Sequence, residues 1–132
     1  MAYLLGYILF VGVASFLMKF VMKSLNAYQV NLLMALGMLI ITIPALWFYQ
    51  KSFKFPQEGL ALGIGTGLLM AAGSLLFVLS LSKLPVGLAS AVSTSYIVVV
   101  VLLSVLFLHE PLSLLKILGI LLTVAGVVIL SL

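Results

Sequence analysis

The chain has 132 residues, 66% of them hydrophobic and only 6% charged, with a net charge of +4 carried by six lysines against two acids. Charged residues make up roughly a quarter of an ordinary soluble domain, so this composition is that of a membrane protein. The lysines flank apolar runs, which reads as anchoring at the membrane edge and not as a nucleic-acid surface. With no cysteine, one histidine and two acids, the chain offers no disulfide framework, no thiolate metal site and no hydrolytic triad, so no enzyme, cofactor or metal is expected.

Five apolar segments follow one another: Ala2–Phe20, Asn26–Tyr49, Gly59–Leu81, Val86–Leu108 and Leu112–Leu132. As helices rising 1.5 Å per residue each reaches roughly 28–36 Å, enough to cross a hydrocarbon core of about 30 Å. The first segment has no basic n-region and no small-residue cleavage pattern before Lys19, so it reads as a span and not as a signal peptide. The links Val21–Leu25, Gln50–Glu58, Ser82–Pro85 and His109–Pro111 are short, which makes consecutive helices antiparallel neighbours. The spans occupy nearly the whole chain, which is read as a single five-helix membrane domain over residues 1–132.

The first span carries Tyr3 and Tyr7 four apart on one face, then Ser15 and Lys19. Lys19 stands near the end of its helix, where two readings are open: its stem brings the ammonium to the interface, or it faces a cavity and draws in anionic or zwitterionic solutes. The second span places Asn31 near its start, with the amide needing partners in hydrocarbon or headgroup water, and Pro44 in its interior, where a kink near Ile40–Pro44 is expected. Trp47, Phe48 and Tyr49 lead into the loop Gln50–Glu58, whose alternating aromatic and basic residues read as an interfacial belt.

The third span bears Gly59, Gly63 and Gly67 at intervals of four, continued by Ala71 and Ser74. Gly87, Ala91 and Ser95 in the fourth span and Gly119, Thr123 and Gly126 in the fifth form similar stripes, which point to helix packing within the subunit or in a dimer. The fourth span has a second stripe of Ser90, Ser93, Thr94, Val101 and Ser104 within about 100° of arc, with Tyr96 to one side. These hydroxyls either bond to their own helix carbonyls or line a cavity. Pro85 and Pro111 are read as helix starts, with Glu110 beside the second favoured by the positive helix end. His109 is read as a solvated loop residue. No acid lies within a span, so the buried carboxylate that proton-coupled cation exporters use is missing.

Three stretches carry a family likeness: Leu84-Pro85-Val86-Gly87-Leu88-Ala89-Ser90-Ala91; Leu106-Phe107-Leu108-His109-Glu110-Pro111-Leu112-Ser113; and Lys116-Ile117-Leu118-Gly119-Ile120 with Ala125-Gly126-Val127. Together with Lys19 at the end of the first span, they resemble the EamA-type module of the drug/metabolite transporter superfamily, most specifically in the last two spans. Many members have an arginine early in the second span; here Asn31 stands in that region, so that arginine's role does not transfer. The small multidrug resistance proteins are a related group whose first helix carries a glutamate eight residues before a lysine. Counting back from Lys19 reaches Val11, and that chemistry does not transfer either.

The resemblance implies one half of a ten-helix inverted-repeat transporter in the inner (cell) membrane, completed by a second module around a central cavity. The lysines independently suggest that the partner is a second copy inserted the other way: three (Lys51, Lys54, Lys116) lie on the N-terminal face and three (Lys19, Lys23, Lys83) on the other, so the positive-inside bias selects neither orientation. The expected function is alternating-access movement of a small organic solute by an antiparallel homodimer. The first four helices of both copies would line the cavity through Tyr7, Ser15, Asn31, Ser74, Ser90, Thr94 and Tyr96, with the fifth packed outside. Two alternatives stand beside it: one subunit of a heterodimer, including a lipid-carrier flippase, or a membrane scaffold that moves nothing.

Overall fold

The computed structural model describes residues 1–50 and 56–131. The belt expected around Lys51, Phe53, Lys54 and Phe55 falls outside the described residues. The described chain is all helical: α1 (Ala2–Val21), α2 (Ala27–Gln50), α3 (Gln57–Leu81), α4 (Val86–Ser93), α5 (Tyr96–Leu108) and α6 (Leu114–Ser131). Four stretches, Tyr3–Val21, Ala27–Tyr49, Gly59–Leu81 and Val86–Leu108, are long and apolar enough to cross a membrane, and α6 adds a shorter apolar helix. The fold thus supplies four of the five expected spans, the fourth in two pieces, and forms the shorter helix α6 where the fifth was expected. The chain divides into two compact units, Met1–Lys83 and Leu84–Leu132.

In the first unit, α2 opens on a reciprocal cap. The Asn26 side-chain carbonyl accepts from the Gln29 backbone N–H at 2.9 Å, and the Gln29 side chain accepts from the Asn26 N–H at 3.0 Å. Two of the donors that a helix start leaves without intrahelical partners are satisfied at once. The helix runs unbroken through Pro44. Ala27, Val30 and Val78 form a small buried core with Met18, Met22, Leu25, Met34 and Leu79 packed around it, which brings the end of α1, the start of α2 and the end of α3 together. Elsewhere the long apolar side chains face outward, as a surface bathed in lipid or covered by another helix requires. Among the described residues of the first unit, a Cβ added at Gly63 or Gly67 would meet nothing within 4 Å, so the third-span glycine stripe is not spent on packing within that unit.

The second unit packs α4 against α6. Here the structure corrects the sequence reading in two places. Val86–Leu108 is not one continuous helix: the i→i−4 ladder gives way at Thr94–Ser95 to i→i−3 bonds, Ser95 N–H to Val92 O (3.0 Å), Ile97 N–H to Thr94 O (3.1 Å) and Val98 N–H to Ser95 O (3.1 Å). The cause is local. The Ser90 carbonyl receives the Ser93 hydroxyl (2.8 Å), the Thr94 hydroxyl (3.1 Å) and the Thr94 N–H (3.2 Å), and this crowding competes with the regular ladder.

The last helix also begins later than expected, at Leu114. Pro111 is therefore not a helix start, and Glu110 is not at a helix N-terminus. The chain instead turns back over the end of α5. His109 adopts the left-handed conformation (φ 52°, ψ 33°) that commonly ends helices, and the Glu110 carboxylate accepts the Ser104 hydroxyl at 2.6 Å. Pro85 does precede α4 directly, as its fixed φ favours.

Candidate functional site

Asn31 on α2 and Ser74 on α3 lie far apart in sequence and meet inside the first unit. The Ser74 hydroxyl lies 2.6 Å from the Asn31 side-chain oxygen and 2.9 Å from the Ala71 carbonyl of its own helix. Both residues are half-buried. They meet because α2 and α3 run antiparallel and pack along each other, so a residue one turn into α2 faces one two turns before the end of α3. The amide oxygen is engaged in that bond, while the amide NH2 keeps two donors for a carbonyl, carboxylate or water.

Ser15 is buried on α1, at 8% exposure, whereas Tyr7 on the same helix is 57% exposed. No bond joins either of them to Asn31 or Ser74. The groove between α1 and α2, about 320 Å³, is walled by apolar side chains such as Leu17, Val30 and Leu33, and none of the expected polar residues lines it.

In the second unit the expected hydroxyls turn back on their own helix. Thr94 donates toward the Ser90 and Ala91 carbonyls at 3.1 and 2.5 Å, and Ser93 toward Ser90. Ser90 therefore meets Thr94 through its carbonyl. Tyr96 begins α5 and is 60% exposed. The break at Thr94–Ser95 thus places a cluster of hydroxyl and carbonyl groups partway along a span, where irregular backbone in a membrane normally faces protein or a polar cavity.

Lys19 takes a position that neither sequence reading named. Its ammonium donates at 2.6 Å to the backbone carbonyl of Leu81, the last residue of α3. A helix C-terminus leaves its final carbonyls without intrahelical donors and carries partial negative charge, so a cation there is favoured. The signal was present in outline. Antiparallel spans put the ends of the first and third helices on one face, and Lys19 sits in the last turn of the first. Lys23 lies 5.2 Å from the Phe20 ring centroid, within cation–π range, and Phe20 itself meets Phe16 edge to face. Among the described residues, no group of three or more His, Asp or Glu side chains is placed to hold a metal ion.

Antiparallel apolar helices with a polar contact held between two of them, and a fourth span interrupted at its hydroxyls, define a multi-pass membrane protein with polar groups inside its spans. The sequence matches the EamA-like transporter family over residues 1–132, and the chain belongs to that family. The protein is accordingly a membrane protein of a family that transports small solutes. No curated protein and no solved structure matches the chain.

Proposed function

We propose that the protein moves a small neutral or zwitterionic organic solute, such as an amino acid, a metabolite or a drug-like compound, across the inner (cell) membrane by alternating access. The working particle is an antiparallel homodimer. The observation that carries the reading is the Asn31–Ser74 contact: a polar pair held between two spans, with amide donors left over for a solute. Tyr7, Ser15, Ser90, Thr94 and Tyr96 supply the remaining hydroxyls of the pathway.

Two further features support the arrangement of copies. The six lysines divide evenly between the two membrane faces, which leaves either orientation accessible. The glycine stripe of α3 and the outward apolar side chains offer a surface for a second module to cover. Without a carboxylate inside a span, movement down the solute gradient is favoured over proton exchange.

The test is uptake into proteoliposomes loaded with amino acids, sugars or organic cations. Saturable counterflow of at least one solute, lowered about fivefold by N31A, is expected, because one hydrogen bond to a solute contributes on the order of 1 kcal/mol. No flux above protein-free vesicles across the whole panel would point to a scaffold instead.

A further inference from the structure

The second unit contains a cavity of about 450 Å³ between α5 and α6 that the transport reading does not use. Its rim is charged with both signs: Glu110 and Lys116 both line it, next to Ser104. Its deeper wall is mostly aliphatic, formed by Ile97 and Val101 on α5 and Ile120 on α6, with Thr123 beside them, whose hydroxyl donates to the Gly119 carbonyl of its own helix at 2.9 Å. Ser104 lies seven residues beyond Ile97 on α5, so the polar rim stands roughly 10 Å above the apolar floor. The rim lies where α5 ends and α6 begins, which is the level of the lipid headgroups for a spanning helix pair.

The charges are arranged for a ligand that also carries both. The Glu110 carboxylate has one oxygen receiving the Ser104 hydroxyl at 2.6 Å, and an ionised carboxylate accepts several donors, so capacity remains for an ammonium. The fold over the end of α5, with His109 in its left-handed turn and the Glu110 N–H reaching the Ser104 carbonyl at 3.4 Å, fixes where that carboxylate sits. Lys116 brings three N–H donors to the same cavity, suited to a phosphate. The volume lies within the range of small-molecule sites; it accommodates a headgroup and the upper part of one acyl chain and is too small for a whole lipid.

From this we infer that the α5–α6 cavity is a lipid site, taking a phospholipid whose headgroup bears a primary ammonium and a phosphate. Glu110 receives the ammonium, Lys116 the phosphate, and the Ile97, Val101 and Ile120 wall the start of the chain. A quaternary ammonium has no N–H to give Glu110, and an anionic headgroup without nitrogen brings only the Lys116 half of the contact. The inference does not rest on the transport reading.

The experiment is native mass spectrometry of the purified protein, with equimolar phosphatidylethanolamine, phosphatidylcholine and phosphatidylglycerol. Retention of the ethanolamine lipid should exceed that of each of the others by about tenfold, since all three carry the phosphate and only this one gives Glu110 a charge-assisted hydrogen bond. E110Q, which keeps an acceptor for Ser104, should bring the three lipids to equal retention, whereas K116Q should lower the retention of all three, because each carries the phosphate. If E110Q disturbs folding, seen as a lost monodisperse gel-filtration peak, K116Q still tests the site through the loss of retention expected for all three lipids. Equal retention by the unaltered protein, an ethanolamine preference that survives E110Q in folded protein, or retention unchanged by K116Q overturns the inference. Displacement of the lipid by free phosphoethanolamine at equal concentration also overturns it, because the ligand would then be a soluble zwitterion.

Discussion

The Lys19 ammonium lies 2.6 Å from the Leu81 carbonyl and ties the last turn of α1 to the end of α3. Leu81 is fully buried, and the small core of Ala27, Val30 and Val78 closes over the same end of the unit. A charged donor on a helix C-terminus combines a strong hydrogen bond with a favourable dipole. Removing it in K19M should destabilise the first unit by about 1 kcal/mol, lowering the thermal midpoint in detergent, with K19R recovering part of the loss. An unchanged midpoint in K19M would show that the lysine merely rests at the interface.

The Asn31–Ser74 bond is measurable by a double-mutant cycle. N31A and S74A should couple by about 0.6 kcal/mol in thermal or denaturant unfolding, the usual size of such a bond between membrane helices. Purely additive losses would mean that the two side chains do not meet.

At the start of α2, the Asn26–Gln29 reciprocal cap predicts that N26A costs about 1 kcal/mol and N26G only a few tenths. Unfolding midpoints of the two variants, compared side by side, check the order.

His109 holds a left-handed turn that glycine adopts without strain and a β-branched residue does not. H109G should leave stability unchanged or raise it by up to about 1 kcal/mol, while H109V should lower it by more than that. The same midpoint measurement decides between them, and a stable H109V would show that this turn is not needed.

The break in the fourth span depends on hydroxyls that crowd the Ser90 carbonyl. The double variant S93A/T94A should extend the regular ladder through Ser95 and slow amide exchange at Ile97 and Val98 about tenfold, the ratio that corresponds to roughly 1.4 kcal/mol. Exchange at the unaltered rate would place the cause of the break elsewhere.

The spans were legible because length and continuous apolarity decide them, whereas the reciprocal cap of Asn26 and Gln29 emerged only from the structure. The interruption at Thr94–Ser95 was not, because it arises from competition between side-chain and backbone donors for one carbonyl, and the apolar pattern runs straight across it. The late start of α6 was missed for a similar reason. Pro111 suits a helix start, yet the chain first turns at His109 and folds Glu110 onto Ser104. The meeting of Asn31 with Ser74 depends on the rotation of α2 against α3, which periodicity within each helix does not specify. The same holds for Lys19: its choice of the Leu81 carbonyl is a tertiary contact, visible only once the ends of α1 and α3 are side by side.

The most direct test of the antiparallel account uses the fact that the natural chain has no cysteine. Ser82→Cys places one thiol in the exposed turn after α3, and a membrane-impermeant maleimide is added to right-side-out vesicles. With balanced lysines and no preferred orientation, about half of the copies should be labelled from outside and the rest only after the membrane is opened. Labelling of all copies, or of none, from that side would contradict it.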